Sequence, residues 1–189
     1  MIESLNRALF LSINAAPDAG LISVALGLLC GEMLIWGLPL MLTFGWLRGR
    51  AATRRAMLEI LFAALAALVV NQLIGMVWPH PRPFMIGLGR TLIAHTPDPS
   101  FPSDHMTLMS VTAASLWLQG WRRTAAVWAA MALATAWGRI YLGVHFPLDM
   151  LGAVMVACAT AMACHRFGGS VVDRAHGGLL AIWGRLFSH

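Results

Sequence analysis

Seven side chains able to hold or move charge stand in three short polar islands of an otherwise apolar chain. Arg82 lies in Pro79-His80-Pro81-Arg82-Pro83. Ser103, Asp104 and His105 lie in Phe101-Pro102-Ser103-Asp104-His105. Arg139, His145 and Asp149 make the third island. His145 and Asp149 are four apart, so on a helical first turn they share a face and can hydrogen-bond. A carboxylate there fixes the imidazole tautomer and stabilises its cationic form, the orienting role in nucleophile–base pairs. His105 supplies a second imidazole from another segment. Two guanidinium forks match phosphate oxygens, and Ser103 with the free N–H groups of a helix start adds donors for an anion. The set describes a phosphate site with a nucleophile on one side and a proton donor on the other. No carboxylate cluster of the kind that holds Mg²⁺ accompanies it, and neither metal nor cofactor is expected. Blander readings stand beside this one. Ser103 after Pro102 is a natural N-cap with Asp104 in the first turn, a His–Asp pair can simply close a helix start, and Arg82 can snorkel.

The elements that must position these residues are apolar. The 189-residue chain is 59% hydrophobic and 11% charged, with a mean hydropathy of +0.72, whereas about a quarter of a soluble chain is charged. That composition is an integral membrane protein's. The net charge of +5 comes with thirteen arginines and no lysine. These fall in short breaks between apolar runs rather than on one solvated face, a membrane-topology pattern that argues against nucleic acid. Cys30, Cys158 and Cys164 lie in apolar segments without metal-ligand spacing, so no disulfide is expected. The N-terminus has no charged n-region, and no cleavable signal is expected.

The pattern predicts an all-α, polytopic membrane bundle of about five spans plus an N-terminal interfacial helix, forming one domain over 1–189. Residues 1–16 read as the interfacial helix, 17–167 as the catalytic bundle and 168–189 as a cytoplasmic tail with a weakly amphipathic end. The spans are Leu21–Leu47, kinked or tilted by its glycines and Pro39; Ala56–Trp78, stopped by the proline cluster; Ser103–Leu118; Thr124–Tyr141; and Pro147–Cys164, with Pro147 at the first helical position. Arg48, Arg50, Arg54 and Arg55 read as a basic loop. With alternating spans, these join Arg122, Arg123, Arg166, Arg174 and Arg185 on one side. The positive-inside rule makes that side cytoplasmic, with the N-terminus outside. The three polar islands then meet at the opposite face.

Taken jointly, the islands resemble the type 2 phosphatidic-acid phosphatases. That family carries Lys, six residues, Arg-Pro; then Pro-Ser-Gly-His; then Ser-Arg, five residues, His, three residues, Asp. Arg82-Pro83, Pro102-Ser103-Asp104-His105, and Gly138-Arg139 with His145 and Asp149 follow in that order, and the resemblance covers most of 20–167. Gly75 stands where the family lysine would be, Asp104 replaces its glycine, and Gly138 replaces its serine, which removes one possible phosphate hydrogen bond. Val-Val-Asn-Gln-Leu-Ile, Ser-Phe-Pro-Ser-Asp-His and Arg-Ile-Tyr-Leu-Gly-Val-His-Phe-Pro-Leu-Asp look like the bacitracin-resistance type of undecaprenyl-diphosphate phosphatase. The resemblance implies that His145 attacks the terminal phosphorus of a lipid diphosphate, Asp149 orients it, and His105 protonates the leaving lipid monophosphate. Arg82, Pro83, Arg139 and Ser103 would form the phosphate-holding side.

Two acidic residues stay open. Asp104 can tune a neighbouring imidazole, reach the second phosphate through an ion, or only complement the helix dipole. Glu32, deep in the first span, can point at the site or pair with an arginine. His80 and His95 read as loop residues near the mouth, while His165, His176 and His189 have no assigned role. The expected partners are a lipid diphosphate and the bilayer, with the oligomeric state unassigned. Phosphatidylglycerophosphate, phosphatidic acid and lipid A are alternative substrates, and an anion transporter is the alternative of another class.

Overall fold

Three long stretches have no continuous polar face to present to water. They become the frame of the computed structural model, which describes residues 1–187; His189 lies outside them. The stretches are Leu21–Arg48 (28 residues), Ala51–Val77 (27) and Pro147–Phe167 (21), each long and apolar enough to cross a bilayer. The first is one span with an irregular middle. Helix α2 (Leu21–Leu28) widens into a π-turn (Leu29–Met33), tightens through a 3₁₀ turn (Leu34–Trp36) and resumes as α3 (Gly37–Arg48). The break in the regular helix therefore includes Gly31 and Glu32. Pro39 falls in the first turn of α3, where a missing N–H is tolerated.

Helix α4 (Ala51–Val77) starts earlier than expected. Arg54 and Arg55 belong to its opening turns and not to a loop, because both guanidiniums find partners there. The Arg54 Nε–H donates to the Trp46 carbonyl at 2.8 Å, and Arg55 pairs with Glu59 at 3.1 Å. The proline cluster ends α4, and residues 78–103 contain one 3₁₀ turn, Pro83–Ile86. Helices α5 (Asp104–Leu118), α6 (Arg122–Tyr141) and α7 (Pro147–Phe167) follow. The tail, expected to be weakly amphipathic only at its end, is a helix along its length, α8 (Gly169–Phe187). Leu179, Ile182 and Trp183 share an apolar cavity with Leu42, Trp46, Met57 and Leu61, which gives its apolar face something to cover.

Helix α5 is central and packs against α4, α6 and α7. Its Met109, Val111 and Leu116 are fully buried among Ile60, Ala63 and Ala67 of α4 and Ala153, Ala157 and Ala161 of α7. Small residues let the backbones approach, which is how helices associate where water does not drive them together. At the end away from the polar islands, buried Glu59 receives Arg55 and the His165 imidazole (Nδ1 to Oε1, 2.8 Å), and Arg55 reaches Asp173 of α8 at 2.7 Å. His165 thus ties α7 to α4, a role its sequence position did not suggest. Helix α1 (Ile2–Ile13) is amphipathic as expected, but it is also a strut. Asn6 and Phe10 are buried: the Asn6 side chain accepts from Leu148 N at 3.0 Å, and Phe10 meets Phe146 edge-on at 5.3 Å.

Candidate active site

The turn between α6 and α7 carries His145. It closes through Gly143, whose φ of +83° lies where a side chain would be strained, and a Cβ there would also press on Thr91 Cα at 3.1 Å. The Asn14 side chain pins this corner, donating to the carbonyls of Arg90 (2.8 Å) and Tyr141 (3.1 Å) and accepting from Arg90 N at 2.7 Å. Pro147 then starts α7, and Asp149 folds back to accept from Phe146 N at 2.7 Å.

His145 and Asp149 are 2% and 1% exposed, and Nδ1 of the imidazole lies 3.2 Å from Asp149 Oδ2. The other ring nitrogen, Nε2, faces Arg82 Nη1 at 2.9 Å. A guanidinium only donates, so Nε2 must accept, and the proton of the neutral ring is on Nδ1 toward the carboxylate. This is the tautomer a phosphorus-attacking imidazole needs, with its lone pair beside the cation that would hold the phosphate. Complete burial pushes the His145 pKa well below the usual histidine value, and the nearby Arg82 and Arg139 push the same way. The ring is therefore kept neutral.

Arg82 is buried, and the structure engages every part of its fork. Nε donates to Asp98 Oδ1 (2.9 Å) and to the Asp98 carbonyl (3.1 Å), Nη1 donates to the Val144 carbonyl (3.0 Å), and Nη2 donates to the Pro99 carbonyl (3.3 Å). Flanking Pro81 and buried Pro83 keep this stretch out of a helix. Arg139, in the last turn of α6, is 1% exposed. Its Nη1 donates to the Gly31 carbonyl (3.4 Å) and forms an ion pair with Glu32, while its buried Nε has no partner. The structure thus decides the position of Glu32: it is on Arg139. Ser103 is fully buried as the N-cap of α5, its Oγ accepting from Met106 N at 3.5 Å, and its own N–H donates to the Asp149 carbonyl at 3.4 Å. His105 lies two residues farther in, half-buried, with no hydrogen-bond partner among the described residues.

Asp104 points to α4 rather than to an imidazole. Asn71 Nδ2 donates to its Oδ1 at 2.8 Å and also to Thr107 Oγ1 at 2.9 Å, and Gln72 Nε2 approaches Oδ2 at 3.3 Å. Asp104, Asn71 and Gln72, with Gly75, Arg82 and Asp98, line a cavity of about 150 Å³, and a Cβ at Gly75, where the family lysine would be, would press on Pro99 at 3.3 Å. Gly138 has a packing reason. A Cβ there would meet the backbone of Gly31, with Cα at 2.8 Å, so a serine is incompatible with this helix crossing.

Sequence reasoning missed Ser100, Asp98 and Asn71. Ser100 is fully buried; its Oγ donates to Asp149 Oδ2 and lies 3.5 Å from His145 Nδ1. It stands inside the quoted Ser-Phe-Pro-Ser-Asp-His stretch, but no spacing rule ties it to a carboxylate 49 residues later. His95 belongs to the same pocket. Its ring centroid is 6.3 Å from that of His145, and its pKa is lowered by burial, with Arg82 and Arg139 adding to the effect against the Thr96 carbonyl and Asp98. His80 sits behind the site, its carbonyl accepting from Ser100 N at 2.8 Å.

The profile described as PAP2 superfamily matches residues 56–172, which contain all three islands. The chain belongs to the PAP2 superfamily. Among its relatives, YbjG of Escherichia coli (strain K12), provisionally named an undecaprenyl-diphosphatase, is 37% identical over 166 residues, 85% of this chain and 83% of that protein. Undecaprenyl-diphosphatase BcrC of Bacillus subtilis (strain 168) is 32% identical over 167 residues, 86% of this chain and 84% of that protein. The crystal structure of Aquifex aeolicus LpxE superposes with a TM-score of 0.68 at 22% identity, covering 86% of this chain and 96% of that one, which establishes the shared fold. The PAP2 assignment makes the chain a multi-pass membrane phosphatase and fits the all-helical bundle expected from its sequence.

Proposed function

We propose that this PAP2 protein hydrolyses undecaprenyl diphosphate to undecaprenyl phosphate and inorganic phosphate, recycling the lipid carrier for cell-wall synthesis and giving bacitracin resistance. The names of the two relatives support the substrate. The observation that carries the chemistry is the His145 ring, with Nδ1 on Asp149 and the Nε2 lone pair facing Arg82. In this mechanism Nε2 attacks the terminal phosphorus, and the bond from that phosphorus to the bridging oxygen breaks. His105, in its protonated form, gives a proton to the bridging oxygen, so undecaprenyl phosphate leaves and phosphate stays on His145. Neutral His105 then takes a proton from water, which attacks the phosphohistidine and frees inorganic phosphate. Asp149 stabilises the charge that develops on the ring, while Arg82, Arg139 and Ser103 hold the equatorial oxygens; positioning and electrostatics supply most of the rate. No step asks for a metal.

The lipid has a route. A cavity of about 660 Å³ runs between α5, α6 and α7, floored by Ala113, Ala126, Ala129 and Ala132 and reaching Met106, the neighbour of His105. Arginines cluster at the far end of the bundle, and by the positive-inside rule this supports a site at the outer leaflet. An anion transporter would be expected to carry paired broken spans. Among the described residues, the break at 29–36 has no counterpart in another span.

The test is a substrate panel on purified protein in EDTA. A kcat/KM for undecaprenyl diphosphate at least about tenfold (~1.4 kcal/mol) above those for phosphatidylglycerophosphate, phosphatidic acid and lipid A is expected. A higher value for one of those would replace the substrate, and hydrolysis of none would remove the enzyme reading.

A further inference from the structure

The break in the first span is where the chain spends its most unusual backbone. A π-turn at Leu29–Met33 breaks an otherwise regular apolar helix and places an acidic residue inside it. Such turns cost stability in a regular helix and mark places where a side chain must be re-aimed. Its partner is α6, approached so closely that neither side tolerates a side chain at the crossing. A Cβ on Gly31 would meet Gly138 C at 3.0 Å and Arg139 N at 3.3 Å, and a Cβ on Gly138 would meet Gly31 in return. The crossing brings two groups of the first span to one guanidinium nitrogen: the Gly31 carbonyl and the Glu32 carboxylate both receive Arg139 Nη1. Arg139 Nε, in contrast, is buried and unpartnered. A buried donor without an acceptor is costly, and a phosphate oxygen of the substrate has the chemistry to supply the one it lacks.

We propose that Glu32 is a positioning residue of the catalytic site, acting through Arg139. It holds Nη1 from the side away from the substrate, so that the Nε edge stays free and aimed at the phosphate. The inference rests on the phosphatase reading above and adds to it a residue outside the three motifs. Arg82 shows the same arrangement, with the Asp98 carboxylate taking its Nε while Nη1 faces His145. In each arginine an acid fixes one nitrogen of the fork, but of the two only Arg139 keeps a buried nitrogen without a protein partner among the described residues. Glu32 touches no reacting atom. Buried Glu59, paired with His165, lies at the far end of the bundle and has no such contact with the site.

The experiment is a double-mutant cycle of Glu32→Ala and Arg139→Ala, read as kcat/KM for the lipid diphosphate and as the inhibition constant of orthovanadate, a mimic of the five-coordinate phosphorus. Glu32→Ala alone should lower kcat/KM by up to about 100-fold, and the vanadate constant should rise in proportion. In the Arg139→Ala background, the same change should cost less than about twofold, because the two residues act as one unit. Glu32→Gln, which keeps an acceptor oxygen, should recover most of the loss; it carries the cycle if Glu32→Ala does not fold. Equal losses in both backgrounds would reduce Glu32 to a structural residue and overturn the proposal. Faster turnover by Glu32→Ala would overturn it too, by making the carboxylate a competitor of the substrate. Full activity of Arg139→Ala would instead strike at the site assignment itself.

Discussion

At the residue scale, the decisive feature is that Asp149 Oδ2 collects three donors, Ser100 Oγ, Phe146 N and His145 Nδ1, so the imidazole has one orientation. Removing one of them should loosen it without touching the substrate. Ser100→Ala is expected to lower kcat about 10- to 100-fold, in line with 1.5–3 kcal/mol for a hydrogen bond to a charged group, with KM little changed; a change in KM alone would contradict this. Burial also sets a pH signature. His145 and His95 are held below the ordinary histidine pKa of about 6.5, so as pH falls through that value the unfolded chain takes up protons that the folded one refuses. The unfolded state binds more protons in this window, hence stability rises with pH there and falls toward acid. The thermal midpoint should drop between pH 7.5 and 5.5, and His145→Gln should flatten the slope; a midpoint that climbs toward pH 5.5 would refute the assignment. His145, Asp149, Arg82 and Arg139 were legible from residue type and spacing. Ser100, Asp98 and Asn71 were not, because their partners are far along the chain and only folding brings them near.

At the scale of elements, sequence patterns located the long helices well, since apolar runs and prolines act locally. They failed where two elements explain each other. The Arg54 and Arg55 turns read as a loop until Trp46 and Glu59 supplied their partners. The tail read only as weakly amphipathic at its end until the cavity beneath α8 showed what its apolar face covers. Gly138 read as a lost hydrogen bond, and the structure makes it a contact surface for Gly31. Restoring the family residue should therefore harm the protein. Gly138→Ser is expected to cost about 1–3 kcal/mol by overpacking and to lower activity by shifting Glu32 off Arg139. Improved turnover at unchanged thermal stability would show that the crossing is not closed as described.

For the whole molecule, four chain segments deliver the site to one end of the bundle: the π-turn, the 78–103 segment, the start of α5 and the α6–α7 corner. The helix α1 strut and the Asn14 pin hold that end together. Nine arginines mark the other end, from Arg48 to Arg185. A phosphatase reporter fused after Arg122 should stay inactive while one fused after Gly87 is active, and the reverse would turn the active site to the cytoplasm. The proposed mechanism requires that His145 carry the phosphate. The most direct measurement is an acid-free quench of the purified protein turning over undecaprenyl diphosphate labelled in its terminal phosphate, followed by peptide mapping. Label on His145, stable to base and lost in acid, and absent from His145→Ala together with phosphate release, is the predicted result. Continued phosphate release by His145→Ala, or label on another residue, would contradict it.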